Sequence, residues 1–350
     1  MTQFAFVVPV TELRSAEGFL LSKKCLCTNL KKVYLSGFVY FPIRSECIEF
    51  LQENTKKFNG SVKSVHDFFP SKVKRIKSLR IIENQYNVTL PKSFVEIGDC
   101  IFINEIQEEF YDKKKIIGEI FLKEFGVRAV FLKKSEFYGE FRIAKWERLA
   151  GFGDTFTVHK ENNFYFALDL SKVFFNPRMG NERLRVINQV SNSEVIIDMF
   201  SGVGPYSIPL AKKKNFVFAF DKNEFAINFL KINMKINNVK ERLKPFNRDV
   251  RDAPKLIDKK VNRVIMNYPE KAMDFLETVI NLPRKEKVII HFYFFERSAD
   301  KNKAMKKVVE EIKKRFIIMG VKHVKILYRK VLKEVAPRKY LIVLDILIED

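Results

Sequence analysis

From about Ser171 onward the chain alternates short apolar runs with helical stretches, and nothing else in the sequence constrains the fold as much. Val195–Met199, Phe216–Phe220, Leu243–Phe246, Val261–Met266 and Val288–Phe294 read as strands. Pro205–Lys213, Glu224–Asn237, Asp274–Asn281 and Lys301–Phe316 read as the helices between them, with apolar residues at 3.6-residue spacing in Glu224–Asn237. Alternation of this kind predicts a parallel sheet covered on both faces. Lys322–Val331 and Arg338–Ile348 follow one another without a helix, which predicts an antiparallel hairpin at the sheet edge.

Ligands of open α/β sheets bind outside the carboxyl ends of the strands, so the residues just after each strand carry the chemistry. After the first comes Asp198-Met-Phe200-Ser201-Gly202-Val-Gly204-Pro205, whose glycines allow a tight turn and close backbone approach to a ligand. Asp221 follows the second strand, beside Lys222, and can accept both ribose hydroxyls of a nucleoside. Asp249, with Val250, follows the third and can accept the exocyclic amine of adenine. Asn267-Tyr-Pro269-Glu270 follows the fourth. Each signal alone is weak, since an Asp after a strand is often only a helix cap. The four in order define one crevice. A dinucleotide site is the rival, but Gly202-x-Gly204-x-x-Ser207 lacks the third small Gly or Ala of that fingerprint. An acid ahead of the turn, Asp198, suits the positively charged methionine part of S-adenosylmethionine, which is therefore the cofactor expected.

Upstream, residues 1–62 read as a small α+β module, with a helix over Glu46–Phe58 ended at Asn59-Gly60. Residues 63–170 read as a second α+β domain, with a basic amphipathic segment at Lys72–Arg80, a strand at Asp99–Ile106 and a helix over Glu108–Phe125 capped by Gly126. Residues 171–350 complete the chain. The fold class expected is α/β: a Rossmann-like class I methyltransferase domain with a mixed seven-stranded sheet, preceded by two small α+β domains. Lysine and arginine number 64 against 42 acidic residues, a net charge of +22. A basic, aromatic-rich folded chain favours a polyanionic partner, most simply nucleic acid, although Lys-rich usage across a proteome produces the same excess. No apolar run is long enough to span a membrane, and the first residues do not read as a signal peptide; the expectation is a cytoplasmic monomer. Cys25, Cys27, Cys47 and Cys100 show no Cys-x-x-Cys spacing, so a zinc site is not expected and the four read as free thiols.

Further motifs sharpen the reading: Gly139-Glu-Phe-Arg142, Asn176-Pro-Arg178-Met-Gly-Asn-Glu182-Arg183, Asn267-x-Pro269 with Ala272, His291-Phe-Tyr293 and Ala336-Pro-Arg338-x-Tyr340. Together with the Asp198–Pro205 segment they make residues 120–350 resemble the archaeal–eukaryotic family of tRNA (guanine-37) N1-methyltransferases. The resemblance implies that Arg142 contacts guanine O6, that Glu182 is the general base toward N1–H, and that Asn267 holds base and cofactor in line. It implies that Arg183, Phe174 and Phe200 form the cofactor pocket with Asp221, Asp249 and Val250. Arg178 would bind tRNA phosphate or orient Glu182. The chemistry is sound by itself: guanine N1 is a poor nucleophile until its proton leaves, a carboxylate can take that proton, and a guanidinium on O6 favours the resulting anion. Lys72, Lys74, Arg75, Lys77 and Arg80 could contact phosphate, or form only a solvated helix face. An ordinary salt bridge is the bland reading of Arg142 and Glu182, and Trp146 reads as core. His291 reads as packing near the sheet end.

One departure stands out: Tyr268 occupies a position where the family commonly has Leu. Some archaeal members are thought also to methylate C7 of the wyosine precursor, and this chain is a candidate for that second activity. A cytosine-5 methyltransferase is disfavoured because no cysteine follows Cys100. An exocyclic-amine methyltransferase typically carries paired prolines after the fourth strand, absent here. The related wyosine-pathway aminocarboxypropyl transferase and a non-catalytic tRNA-binding protein remain as alternatives.

Overall fold

The computed structural model describes residues 2–72, 78–137 and 139–349. The chain forms two compact units, one of residues 1–178 with 235–237, the other of residues 179–234 with 238–350.

The first unit contains two four-stranded sheets. Strands β1 (Thr2–Pro9), β2 (Val33–Leu35), β3 (Phe38–Ile43) and β4 (Ser61–His66) pair in the order β2-β3-β1-β4, with helices α1 (Leu13–Ser22) and α2 (Ile48–Glu53). Helix α3 (Leu79–Tyr86) precedes β5 (Phe94–Ile97) and β6 (Cys100–Ile103). Helix α4 (Lys114–Phe125) then leads to β7 (Ala129–Lys133) and β8 (Trp146–Gly151), giving the order β5-β6-β7-β8. A hairpin of β9 (Phe156–Glu161) and β10 (Phe164–Asp169) follows.

The expected helix over Glu46–Phe58 is broken. Only α2 is α-helical; the Asn54 side chain donates to the carbonyl of Phe50 at 2.8 Å and takes over the end of the helix, and the chain continues as 3-10 turns. Likewise Glu108–Lys113 is 3-10 before α4 begins, whereas Gly126 closes α4 in the left-handed conformation as expected. The thiol expectation is overturned for two cysteines: Cys25 and Cys47, with Cα atoms 5.7 Å apart, form a disulfide between the loop after α1 and the turn before α2. Cys27 and Cys100 are free. Trp146 is half-buried rather than core, packed edge-on against Phe102 with its indole N–H donating to the carbonyl of Leu170.

The second unit begins with α5 (Gly180–Gln189) and continues β11 (Val195–Asp198), α6 (Ser207–Lys212), β12 (Phe216–Asp221), α7 (Glu224–Ile236), β13 (Leu243–Asn247), α8 (Ala253–Leu256), β14 (Val261–Met266), α9 (Leu276–Asn281), β15 (Arg284–Arg297), α10 (Lys301–Ile318), β16 (His323–Ala336) and β17 (Lys339–Glu349). The sheet has seven strands in the order β13-β12-β11-β14-β15-β17-β16. Strands β11 to β15 are parallel; β17 runs antiparallel between β15 and β16. The terminal hairpin is present as expected, with β17 inside the sheet and β16 at its edge. β17 is buried from Leu341 to Ile346, whereas β16 alternates exposed and half-buried residues, as an edge strand does. The order reverses between β11 and β14, so a crevice opens beyond Asp198, where open α/β sheets hold ligands.

Candidate active site

Asp198 ends β11 and is buried. Ser207 Oγ donates to its Oδ2 at 2.6 Å, while Oδ1 has no partner; Ser201 Oγ, also buried, has none either. Unpaired buried polar atoms are costly unless a ligand satisfies them. Burial, reinforced by the nearby Asp221 charge, pushes the Asp198 carboxyl up to about 7, against the hydrogen bonds from Ser207 and the Phe200 backbone. An ammonium group arriving at Oδ1 would relieve this cost, which is the fit expected for the methionine end of the cofactor.

The turn beyond Asp198 is built on two glycines with positive φ, +52° at Gly202 and +92° at Gly204. Nothing lies within 4 Å of the position a Gly202 side chain would take, so the backbone there faces open space. The Gly202 N–H donates to Asp221 Oδ2 at 2.8 Å, and Asp221 Oδ1 accepts from the Asn223 N–H. Asp249 accepts from the Arg251 N–H and pairs with the Arg251 and Lys222 side chains; it is thus a cap as well as a candidate adenine acceptor. Val250 is buried beside it. Phe200 packs against Phe275 and Tyr268, with ring centroids 4.9 and 5.1 Å away. Tyr268 therefore leans on a residue of the expected cofactor pocket. Asn267 is half-buried at the end of β14.

Glu182 lies in the first turn of α5, buried along with Arg183. Tyr293 donates to Glu182 Oε1 at 2.8 Å, and Arg185 donates to both carboxylate oxygens at 2.7–3.0 Å. Tyr206, two residues beyond Gly204, donates to the Tyr293 hydroxyl at 3.0 Å. Glu182 is thus joined to the glycine turn through two phenols. In the first unit the Arg178 guanidinium donates to the carbonyl of Phe94 at 2.9 Å.

Also in the first unit, the Arg142 guanidinium lies over the Phe174 ring, 4.3 Å from its centroid, and Phe137 meets the same ring edge-on. Arg142 has φ +52°, unusual for a residue with a side chain, in a turn whose 3.3 Å hydrogen bond joins its N–H to the Gly139 carbonyl. Lys72 is exposed, its N–H donating to the Asn29 carbonyl; Lys74, Arg75 and Lys77 lie outside the described residues.

Sequence reasoning missed Arg185, Asp345 and Arg263. Asp345 accepts from Arg185 at 2.6 and 3.0 Å, and His291 and Arg263 continue the contact. For the two strand residues the signal was present: Arg263 and Asp345 are each the one charge within a run of apolar strand residues, as in LIVLDILI, whereas Arg185 sits among other charges on helix α5. His291 is fully buried, and burial outweighs Asp345 in lowering its pKa.

The sheet order, the glycine turn and the acidic strand ends define a class I S-adenosylmethionine-dependent methyltransferase. The family model for the TRM5/TYW2 methyltransferase domain matches residues 157–324, and that for the TYW2 N-terminal domain matches residues 77–155. The tRNA (guanine(37)-N(1))-methyltransferase Trm5b of Methanocaldococcus jannaschii is 34% identical over 279 residues, covering 78% of this chain and 77% of the relative. The tRNA(Phe) (4-demethylwyosine(37)-C(7)) aminocarboxypropyltransferase of Pyrococcus horikoshii is 34% identical over 58% of this chain and 72% of its own length. The solved complex of aTrm5 and tRNALeu superposes with a TM-score of 0.68 at 30% identity, covering 99% of this chain and all of that one. The chain belongs to the TRM5/TYW2 methyltransferase family, and its cofactor is S-adenosylmethionine.

Proposed function

We propose that this enzyme transfers a methyl group from S-adenosylmethionine to N1 of guanosine 37 in tRNA. The observation that carries the reading is the Glu182 carboxylate, buried, held by fixed donors and tied through Tyr293 and Tyr206 to the turn that follows β11. A carboxylate so held is oriented before substrate arrives, which suits a general base. Bound cofactor supplies an electrophilic sulfonium methyl. Glu182 takes the N1 proton, Arg142 donates to O6 as negative charge gathers there, and Asn267 positions the base. Arg183, Phe174, Phe200, Ser201, Asp221, Lys222, Asp249 and Val250 hold the cofactor, with Asp198 at its ammonium end. Residues 1–62 and 63–170 are modules that read tRNA shape ahead of the methyltransferase domain at 171–350, with Arg178, Lys72 and Arg75 on phosphate. The M. jannaschii and aTrm5 likenesses support tRNA as the partner. No helix among the described residues is long and apolar enough to cross a membrane; the enzyme works as a cytoplasmic monomer.

The test supplies tRNA with cofactor labelled either in the methyl or in the carboxyl carbon, then separates the nucleosides. Methyl label in 1-methylguanosine is expected. Carboxyl label in the product would make the enzyme an aminocarboxypropyl transferase, the activity named for the P. horikoshii relative. Binding of tRNA with neither label transferred would make it a non-catalytic binder. The same assay on tRNA carrying 4-demethylwyosine tests C7 methylation, the second activity that Tyr268 next to Phe200 makes worth examining. Glu182→Gln should lower kcat by roughly 10²–10⁴-fold.

A further inference from the structure

Next to Glu182 runs a continuous row of charges, buried at Asp345, His291 and Arg263 and half-buried at Arg185 and Glu194. His291 and Asp345 stand directly opposite one another in the β15–β17 pairing, and Arg263 comes from the neighbouring β14. Glu194, just before β11, accepts from Arg263 at 2.7 and 3.1 Å. Arg263 meets His291 Nε2 at 2.9 Å; His291 Nδ1 meets Asp345 Oδ1 at 2.7 Å; Arg185 joins Asp345 to Glu182. The Arg185 guanidinium is also covered by the Tyr328 ring of β16 at 4.2 Å.

The proton positions follow from the chemistry of the partners. A guanidinium only donates, so His291 Nε2 must accept from Arg263. The imidazole proton is therefore on Nδ1 and is donated to Asp345. That donation fixes the Asp345 oxygens, which fix the fork of Arg185, which fixes Glu182. Strand alternation brings His291 and Tyr293 to one face of β15, and a spacing of three brings Glu182 and Arg185 to one face of α5. Helix and sheet thus meet at two points, and both converge on one carboxylate.

We propose that Asp345 and His291 are positioning residues for the methyl transfer: through Arg185 they set the orientation of Glu182 without touching substrate or cofactor. The inference rests on the reading of Glu182 as the base. The groups facing Glu182 are Arg185 on α5, Tyr293 on β15 and, one step removed, Tyr206 beyond the glycine turn and Asp345 on β17. Only the Arg185–Asp345 arm carries charge that the variants below remove.

Asp345→Asn keeps the shape and removes the charge; Asp345→Glu restores the charge; Arg185→Lys, at a side chain one-fifth exposed, keeps a cation and loses the fork. The full-length enzyme and each variant are assayed for kcat, KM for tRNA, cofactor Kd and melting temperature. Asp345→Asn is expected to lower kcat about tenfold or more, in line with misplacement of a reacting group. KM and cofactor Kd should stay within about twofold, and Asp345→Glu should recover most of the loss. In a Glu182→Gln background Asp345→Asn should cost nothing further. If Asp345→Asn does not fold, Arg185→Lys gives the same reading. Equal losses with and without Glu182 overturn the proposal, as does wild-type kcat in folded Asp345→Asn alongside a crippled Glu182→Gln. Wild-type kcat in Glu182→Gln overturns instead the assignment of the base.

Discussion

The backbone N–H of Gly202 donates to Oδ2 of Asp221 at 2.8 Å, so the turn after β11 is tied to the end of β12 by a side chain proposed also to meet the cofactor. Asp221→Ala removes the tether and the proposed ribose acceptors together. Losing charge-assisted hydrogen bonds of this kind costs about 1.5–3 kcal/mol, so cofactor Kd should rise roughly 10–150-fold by calorimetry. Asp221→Glu, with the same charge one methylene further out, should lose part of this. Unchanged affinity in Asp221→Ala would remove Asp221 from the site.

Asp198, if it meets the cofactor's ammonium group as proposed, should make cofactor affinity depend on pH. Its carboxyl sits near 7 in the free enzyme against 3.8 for an unburied one. The folded value is the higher, so the group's contribution to stability is present at low pH and is lost as pH rises through about 7. A cationic ligand group reverses the preference, because it needs the ionised form. Affinity for S-adenosylmethionine should climb about tenfold per unit between roughly pH 5 and 7, then level off. Methylthioadenosine, which lacks the ammonium, should show no such slope. Asp198→Asn should flatten the profile, weaken cofactor binding and raise the melting temperature of the free enzyme above pH 7. A slope of equal steepness in Asp198→Asn would assign the titration elsewhere.

How far the sequence could be read depends on how far apart the interacting residues lie. The strand ends were legible because a local pattern suffices: Asp198, Asp221, Asp249 and Asn267 each follow their own apolar run, and sheet topology brings such positions to one side. The broken helix at Glu46–Phe58 was not legible, because a side-chain bond from Asn54 competes with propensity. Nor was the Cys25–Cys47 bond, which needs the approach of two loops. The row of charges next to Glu182 needs the insertion of β17 between β15 and β16. Until that strand order is known, Asp345 is 160 residues from Arg185 with nothing to connect them. Alone among apolar neighbours, Asp345 and His291 could have been flagged as buried charges requiring partners, though not assigned to each other.

Arg128 and Asp99 are both buried, and the Arg128 Nε donates to Asp99 at 2.9 Å. The remaining guanidinium N–H groups reach the carbonyls of Phe152 and Phe156 at 2.7 and 2.8 Å, while Asp99 also accepts from the Tyr34 N–H and the Thr157 hydroxyl. One ion pair therefore joins β2, β9 and the β5–β6 turn. Removing one partner of a buried pair costs about 3–5 kcal/mol because the other charge is left unpaired. Arg128→Met should lose that much in urea unfolding of the first unit. Cofactor Kd, which the proposed site draws mostly from the second, should change by less than about twofold while the protein is folded. A loss below about 1 kcal/mol would show the pair to be replaceable by packing.

Gly202 and Gly204 look alike in sequence, yet substitution should separate them. Both have positive φ, so alanine at either is strained by roughly 1–2 kcal/mol. At Gly204 an added Cβ would also collide with Leu230 Cδ1 and lie 3.1 Å from Ile208 Cδ1, inside the packing of α6 and α7. Overpacking of this sort adds about 1–3 kcal/mol. At Gly202 the added methyl meets no protein atom and instead occupies the space the cofactor is proposed to use. Gly204→Ala should therefore lower the melting temperature more than Gly202→Ala, while Gly202→Ala should weaken S-adenosylmethionine binding more for each degree of stability lost. Thermal melts with and without cofactor decide the matter on one instrument. Equal stabilisation by cofactor in wild type and Gly202→Ala would mean that the open space beside Gly202 is not where the cofactor binds.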